Sequence, residues 1–266
     1  MADLRTIRRI SLEKGLSINY ISKEEKISNL LLQLSKLSKD NIILKGGTAL
    51  NRVYLQNKGY NRFSEDIDID YISTSPLKIR INAIKKIMKQ ITFFEIGKPR
   101  IMHRTLRFDC YYTNEINHKD KIQVEFYLSH TKLISVKKPE NVLVKSSFIE
   151  TNPCIFNVYS FEDLLARKIV TLYRRMEGKD MFDIFYALEI KFENKLFKRA
   201  LDQMIDFYKI KKNYNEFKKD LILKLNNALK DSNQIQNSTN HFIPKVLRDD
   251  WKMLIATLIE KINDLN

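Results

Sequence analysis

The sequence lacks an apolar run long enough to cross a membrane, and residues Met1–Ser17 lack the apolar core of a signal peptide. It has only 2 cysteines, Cys110 and Cys154, too few for a disulfide framework. We therefore expect a chain with no membrane partner in a reducing cytoplasm, in which both thiols are buried or have no special role. The 4 histidines do not have zinc-ligand spacing, which argues against a structural zinc site.

Glycine is also scarce, with 6 residues in 266, so the adjacent pair Gly46 and Gly47 is informative. The apolar segment Asn41–Leu44 before it predicts a short buried strand, and the spacing of ALNRVYL after it predicts a helix. Backbone N–H groups at a glycine turn that enters a helix can bind an anion such as phosphate. A tight turn without a ligand also explains the pair, so both interpretations stay open.

Acidic residues are in the minority. The chain has 32 Asp and Glu against 47 Lys and Arg, which gives a formal net charge of +15 and a sequence pI near 9.6. A basic surface is typical of a protein that binds nucleic acid. The lysines are spread along the whole chain, however, so a general lysine bias in composition explains the charge equally well.

Three aspartates, Asp66, Asp68 and Asp70, alternate with apolar residues against this basic background. A period of two predicts a β-strand with Ile67 and Ile69 on one face and the carboxylates on the other. Carboxylates two positions apart on a strand lie about 6.5–7 Å apart and repel each other. Either water solvates this acidic face, or a divalent cation such as Mg²⁺ binds to it.

A further carboxylate, Glu125, lies in the middle of the predicted strand KIQVEFYLS, Lys121–Ser129. A solvent-facing glutamate is the simplest interpretation of this residue. If the strand is a neighbour of the aspartate strand, Glu125 lies beside Asp66 and Asp68. Three carboxylates on adjacent strands can hold two metal ions for phosphoryl or nucleotidyl transfer.

The helix predicted to begin after Ser160 contains a lysine, Lys168, on its apolar face. A lysine in that position needs either a counter-charge, for which Asp183 is the candidate, or a path to water along its own side chain. Alternatively, its ammonium group contacts the phosphates of a ligand. From the sequence alone, Lys168→Met is expected to weaken nucleotide binding and to leave folding intact.

The order of predicted elements indicates an α+β fold in two parts. A capping box at Ser22 and Glu25 predicts a helix start near the N-terminus, and three or four strands follow the aspartate strand. Beyond them the pattern is almost wholly helical, with residues 231–244 as the one long polar loop. We therefore expect a mixed-sheet domain with N-terminal helices over residues 1–159 and a helical C-terminal domain over residues 160–266.

Five motifs in order resemble the AbiEii/AbiGii-type nucleotidyltransferase toxin family: GGTAL, RFSEDIDID, KIQVEF, ARKIVTLYRR and KDMFDI. Members of this family are toxins of type IV toxin–antitoxin and abortive-infection systems, within the polymerase-β-like nucleotidyltransferase superfamily. The match runs from about Leu44 to Leu188, and the combination of motifs is far more specific than a D-x-D pattern. One departure is Lys179, where arginine is usual, because lysine keeps the charge but loses the bidentate geometry.

The resemblance implies a role for each matched residue. It places nucleotide contacts at Gly46, Gly47, Thr48, Arg62, Ser64, Lys168, Asp180 and Asp183, and the metal-binding and catalytic carboxylates at Asp66, Asp68 and Glu125, with Lys168 also among the catalytic residues. Asp70 matches no core motif, and we expect at most an outer position around the metal for it.

The resemblance further implies a nucleotidyltransferase domain closed by the helical domain, an NTP substrate, Mg²⁺ or Mn²⁺ as the cofactor and a cognate antitoxin. It suggests an RNA acceptor, with the 3′ end of tRNA as one candidate. The segment Tyr208–Lys219 fits RNA because it combines five lysines with three aromatic rings, although a solvated helix face with a buried aromatic edge explains it as well. Two alternatives stay open: a nucleotidyltransferase that modifies a protein or a small molecule, and a non-catalytic nucleic-acid-binding protein on the same scaffold.

Overall fold

A mixed β-sheet forms the centre of the computed structural model, which describes residues 2–37, 41–128 and 132–265. In chain order its strands are β1 (Ile42–Lys45), β2 (Ile67–Tyr71), β3 (Glu95–Ile96), β4 (Arg100–Met102), β5 (Thr105–Thr113), β6 (Lys119–Tyr127), β7 (Glu140–Val144) and β8 (Cys154–Val158). Their lateral order is β3-β5-β6-β2-β1-β8-β7, and β4 pairs with β5. Strand β2 is parallel to β6 and antiparallel to β1, so the sheet is mixed, as expected.

Helices cover the sheet and make up the C-terminal part. They are α1 (Leu4–Lys14), α2 (Ile18–Leu37), α3 (Gly46–Ala49), α4 (Leu77–Met88), α5 (Phe161–Arg175), α6 (Gly178–Ala187), α7 (Asn194–Phe207), α8 (Tyr214–Ala228), α9 (Ser232–Thr239) and α10 (Trp251–Asn263). Helix α2 contacts β6 and β8, whereas α3 contacts β2 and α5. The last strand ends at Val158, and the described residues beyond it form helices and short connections.

One hydrophobic core joins the sheet to the C-terminal helices. Leu44 and Ile69 on the sheet and Leu165 and Ile169 on α5 belong to the same buried cluster. The apolar face of α5 is buried, with α6 and α7 as its main neighbours, as its period of 3.6 residues predicts. Because the core is continuous across residue 159, the proposed division into two domains at that point stays a prediction.

Two local predictions are wrong. Ser22 does not cap a helix, because α2 already begins at Ile18 and the Ser22 hydroxyl instead bonds to the Glu115 side chain in the β5–β6 turn. Residues 231–244 are not a polar loop, since they contain α9. This helix has little apolar periodicity of its own, and it packs against the start of α6 through Ile235.

Within the segment RIMHRTLRFDCYY, strands β4 and β5 form a hairpin. The chain turns at His103, whose φ is +54°. A left-handed turn without glycine or asparagine gives no recognisable signal in the sequence. Strand β6 matches the prediction for Lys121–Ser129 in its centre, and Ser129 itself lies outside the described residues.

Candidate active site

The side chains of Asp68 and Glu125 belong to neighbouring strands. Asp68 on β2 is directly opposite Glu125 on β6 in the parallel pair. Ile67 and Ile69 are fully buried, whereas Asp66 and Asp68 are half-buried. The predicted alternation of faces and the predicted contact between the two carboxylate strands are therefore both confirmed.

Gly46 allows the glycine turn to approach Asp68 closely. Its φ is +70°, a conformation that favours glycine, and a Cβ atom there would lie 2.1 Å from Oδ2 of Asp68. A Cβ atom on Gly47 would lie 3.0 Å from Oγ of Ser64 and 3.1 Å from Nη2 of Arg62. The glycine pair thus makes room for three polar side chains, in addition to turning the chain.

Thr48 links the glycine turn to the aspartate strand by a hydrogen bond. Its hydroxyl bonds to the backbone carbonyl of Asp66 and lies 3.0 Å from Oγ of Ser64. Thr48 is fully buried, so no surface of this residue is accessible to a phosphate in this structure. Its position fixes where Asp66 lies, and a direct nucleotide contact at Thr48 stays a prediction.

Lys168 has two carboxylate partners. Its Nζ lies 2.6 Å from Oδ1 of Asp180 and 2.7 Å from Oδ2 of Asp183, and both aspartates are fully buried. The side chain of Lys168 is only 8% exposed, so it does not reach water along its own length. The counter-charge predicted at Asp183 is confirmed, and Asp180 is a second one.

Asp183 also links α6 to the glycine turn. Arg62 donates to it over 2.7 Å, and Asn51 donates both to Asp183, over 3.1 Å, and to the Gly47 carbonyl, over 2.9 Å. Arg62 is almost completely buried, and it also donates to the Phe63 carbonyl. These contacts make Arg62 and Asp183 a brace behind the turn, while their roles in nucleotide binding stay predictions.

The charges of this brace change the acidity of the aspartates. Burial by itself would raise the pKa of Asp180, but Lys168 and Arg175 outweigh that effect and lower it to about 2. Burial likewise opposes Arg62 and Lys168 at Asp183, and the two cations lower its pKa. Both aspartates are therefore ionised at neutral pH and hold their basic partners in place.

The two aspartates of the D-x-D strand behave in the opposite way. Burial, Asp68 and Glu65 raise the pKa of Asp66 to about 6, against the opposing charge of Lys179. Burial also raises the pKa of Asp68; Lys45 opposes this effect and Glu125 adds to it. The negative charge of these carboxylates is therefore only partly compensated by nearby cations. A bound metal cation would stabilise their ionised form.

These carboxylates fit a magnesium or manganese site in their chemistry, since hard cations prefer oxygen ligands. Asp66 and Asp68 would supply the main ligands, with Glu125 opposite Asp68 as the third. Glu125 instead forms an ion pair with Arg107 on β5. Among residues 2–37, 41–128 and 132–265, no three acidic, histidine or cysteine side chains converge as a preformed metal site.

Lys45 and Arg107 are site residues that the sequence reasoning missed. Lys45 is opposite Asp68 in the antiparallel β1–β2 pair, and Arg107 is opposite Glu125 in the β5–β6 pair. A cation directly before the glycine pair could have drawn attention to Lys45. No local signal points to Arg107, because its place depends on which strands pair.

Asp70 is part of a buried network behind the site. Its Oδ1 lies 2.5 Å from Nζ of Lys45, and its Oδ2 accepts a 2.7 Å hydrogen bond from the Tyr159 hydroxyl. Asp70 is fully buried. Its contact with Lys45 explains why a third aspartate follows the D-x-D pair, and an outer metal position for it stays untested.

Lys179, the departure from the family pattern, makes contacts suited to a single point charge. Its Nζ lies 3.5 Å from Oε2 of Glu65 and 3.8 Å from the ring centroid of Phe242. Lysine can make both contacts without the bidentate fork of arginine. The substitution therefore keeps a cation beside the residue that precedes Asp66.

The basic segment Tyr208–Lys219 has a mixed character. Phe217 is buried in the core, in line with the buried aromatic edge that we considered. Tyr208 is 39% exposed, and the guanidinium of Arg174 lies 4.4 Å from its ring centroid. The segment thus contains an exposed ring flanked by a cation, and its contact with RNA stays a prediction.

No helix in the described part of the chain is both long and apolar enough to span a membrane. Cys110 and Cys154 are both buried and unpaired by disulfides, as expected. Burial raises the pKa of the Cys110 thiol to about 12 and that of Cys154 to about 11, so neither is a reactive thiolate at neutral pH.

A D-x-D strand lies between a glycine-turn strand and a parallel strand with a third carboxylate, and a helical C-terminal region follows, an arrangement that fits a nucleotidyltransferase. Residues 30–264 match the family described as "Nucleotidyl transferase AbiEii toxin, Type IV TA system". The chain belongs to this family of nucleotidyltransferase toxins, as the motif resemblance predicts.

Solved structures with this fold include one nucleotidyltransferase toxin. MenT4, a nucleotidyltransferase toxin from Mycobacterium tuberculosis H37Rv, matches with a TM-score of 0.67 and 16% identity, over 100% of this chain and 91% of MenT4. The crystal structure of a protein from H. pylori matches with a TM-score of 0.53 and 15% identity, over 94% of this chain and 99% of that one. At these identities the likeness shows the fold alone. Comparison with curated proteins finds no significant match.

Proposed function

We propose that this chain is a Mg²⁺-dependent toxin that transfers a nucleotide from an NTP to a hydroxyl group of RNA, with the 3′ end of tRNA as the first acceptor to test. The family implies an NTP substrate and a cognate antitoxin. The proposal adds the metal, the class of acceptor and the residues that carry the reaction.

The observation that carries the proposal is the approach of the glycine turn to the D-x-D carboxylates. Gly46 has no room for a side chain because Asp68 occupies that space, and Asp68 in turn is opposite Glu125. Backbone N–H groups that can face phosphate are therefore next to carboxylates that can bind a cation. That combination suits an NTP with its metal far better than it suits either ligand alone.

Each group of residues has a distinct task in this proposal. Asp66, Asp68 and Glu125 would hold Mg²⁺ or Mn²⁺, which would activate the attacking hydroxyl and stabilise the leaving pyrophosphate. Gly46 and Gly47 would receive the nucleotide phosphates, with Thr48, Ser64 and Arg62 fixing the turn. Thr48 bonds to Ser64 and Arg62 bonds to Asp183, while Asn51 donates to both Asp183 and the Gly47 carbonyl. This part of the site is therefore preorganised.

Lys168 can serve both as a brace and as a phosphate ligand. An ammonium group has three N–H donors, and Asp180 and Asp183 engage two of them. The third can donate to an NTP phosphate, which would keep the proposed role of Lys168 in binding and catalysis. Asp180 and Asp183 then belong to the nucleotide site because they orient Lys168.

An RNA acceptor is supported by charge and by exposed rings. The chain carries a formal net charge of +15, which favours a polyanionic partner. On the helical part, Arg174 lies over the exposed ring of Tyr208, a pairing that can stack on a base and neutralise a phosphate. A protein or a small molecule as acceptor would need neither feature.

The test is to incubate the protein with each α-labelled NTP, Mg²⁺ and total RNA, and to sequence any labelled RNA. The control is Asp66→Asn, which removes one proposed metal ligand at nearly constant volume. Label in RNA that depends on Asp66 and is lost with chelator supports the proposal. Label in protein or in a small molecule favours the alternative acceptor, and the absence of any label under these conditions contradicts the proposal.

A further inference from the structure

An aromatic cluster of Tyr20, Phe63, His241 and Phe242 lies beside the candidate active site. Tyr20, on α2, stacks on Phe63 with 4.6 Å between ring centroids and on Phe242 with 5.4 Å. The His241 ring is nearly parallel to that of Tyr20, at 24° and 6.0 Å, and lies 3.9 Å from that of Phe242. The cluster joins α2, the segment before β2 and the C-terminal helical part.

The cluster is connected to the carboxylate strand on two sides. Phe63 lies three residues before Asp66, and its backbone N–H donates to the Phe242 carbonyl over 2.8 Å. Lys179 contacts the Phe242 ring and also Glu65, which directly precedes Asp66. The aromatic rings therefore border the start of β2, where the D-x-D motif begins.

His241 is the exposed member of the cluster. Phe63 and Phe242 are buried and Tyr20 is half-buried, whereas the His241 side chain is exposed. Its neighbours hold the ring in place, so a ligand that stacks on it need not immobilise a free side chain. Burial of part of the ring and the nearby Lys179 lower the pKa of His241 although Glu65 opposes them, so the ring is mostly neutral at pH 7.

From its location, we expect the cluster to contact the NTP and not the acceptor. The segment of residues 62–66 carries both Phe63, within the cluster, and Ser64, whose Oγ borders the glycine turn. Glu125 and its partner Arg107 come from β6 and β5, on the other side of β2. A nucleotide with its phosphates at the glycine turn can thus extend its base towards the aromatic cluster.

We propose that His241 is the platform on which the base of the bound NTP stacks, and that it positions the nucleotide for transfer. This inference rests on the proposed nucleotidyltransferase function, because it assigns a place to one part of that substrate. Stacking on an aromatic face tolerates all four bases, so the platform raises affinity for nucleotides without selecting one strongly.

The test compares ligands with and without a base, in the absence of any acceptor. Binding of the four NTPs and of inorganic tripolyphosphate, each with Mg²⁺, is measured calorimetrically for the wild type, His241→Ala and His241→Phe. His118→Ala is the matched control, since His118 is an exposed histidine in the β5–β6 turn. Urea unfolding of each variant checks that the fold is retained.

We expect His241→Ala to weaken NTP binding about five- to tenfold, at the lower end of the range for base–aromatic stacking. Tripolyphosphate should bind equally well to all four proteins, and His241→Phe should bind NTP within about twofold of the wild type because it keeps a ring. The inference is overturned if NTP binding is unchanged in His241→Ala, or if tripolyphosphate binding falls by the same factor. If the wild type binds tripolyphosphate, and binds each NTP no more tightly than tripolyphosphate, base stacking is excluded while the phosphate site remains. If it binds neither ligand, the proposed function and the inference both fail.

Discussion

Replacing Lys168 with methionine should destabilise the protein strongly, contrary to the expectation from sequence alone. Methionine suits the apolar face of α5, but the change leaves Asp180 and Asp183 buried without the cation that they share. Removing one partner of a buried ion pair typically costs about 3–5 kcal/mol, because the remaining charge stays desolvated. The expected fall in the free energy of unfolding is therefore about 3–5 kcal/mol at pH 7.5.

The lowered pKa of Asp180 points in the same direction. A reduction from 3.8 to about 2 corresponds to roughly 2–3 kcal/mol of net stabilisation of the ionised group, to which both Lys168 and Arg175 contribute. That contribution is fully present above the unfolded-state pKa and is lost as the pH falls through about 2. Without Lys168 the pKa values of both aspartates should rise, so the destabilisation should be smaller at pH 5 than at pH 7.5.

Urea unfolding of Lys168→Met and of a matched control, Arg175→Met, measures these effects. Arg175 contacts the same Asp180 at 2.7 Å, but its side chain is 48% exposed, so its loss should cost no more than about 1 kcal/mol. A double variant, Lys168→Met with Asp183→Asn, should recover part of the lost stability because one uncompensated charge is gone. The reasoning is refuted if Lys168→Met unfolds at the same urea concentration as the wild type.

Three other predictions concern the carboxylate strand. Gly46→Ala should abolish nucleotide transfer and lower the free energy of unfolding by about 1 kcal/mol or more, because the new Cβ meets the Asp68 carboxylate and the backbone there is left-handed. Normal transfer by this variant would show that the close approach of Gly46 to Asp68 is not needed. Arg107→Met should tighten Mn²⁺ binding in the absence of nucleotide, because it releases Glu125 from its ion pair. Electron paramagnetic resonance measures this binding, and unchanged or weaker binding would exclude Glu125 as a ligand. Mn²⁺ affinity should also rise with pH through about 6, where Asp66 loses its proton, and a flat profile from pH 5 to 8 would contradict the assigned role of Asp66.

The sequence predicts the faces of this site better than its contacts. The alternation of Ile67 and Ile69 with aspartates follows from the period of a strand, so the acidic face can be read locally. That Asp68 lies opposite Glu125 depends on the pairing of two strands more than fifty residues apart, so the residues alone allowed it only as a condition, and the family resemblance then supported it. Arg107 could not be found at all, because neither its neighbours in sequence nor a motif marks it.

The same limit explains the errors in the helices. Ser22 and Glu25 match a capping box, but burial of α2 against the sheet extends that helix to Ile18 and overrides the local signal. Polar composition suggested a loop over residues 231–244, yet α9 forms there, with Ile235 packed against the core and Phe242, just after the helix, buried in it. In both cases packing decided between two locally acceptable conformations.

The most direct test of the account is the growth rate of bacteria that express the wild-type chain or Asp66→Asn at equal soluble abundance. The substitution removes a charge that is partly desolvated and repelled by Asp68, so it should leave the fold intact or slightly more stable. It should lower nucleotide transfer by about a thousandfold or more, since metal-assisted stabilisation supplies several kcal/mol and each 1.4 kcal/mol is about tenfold in rate. The account predicts that the wild type slows growth and that Asp66→Asn does not. Equal growth arrest by both proteins would contradict it, because arrest would then arise from binding alone.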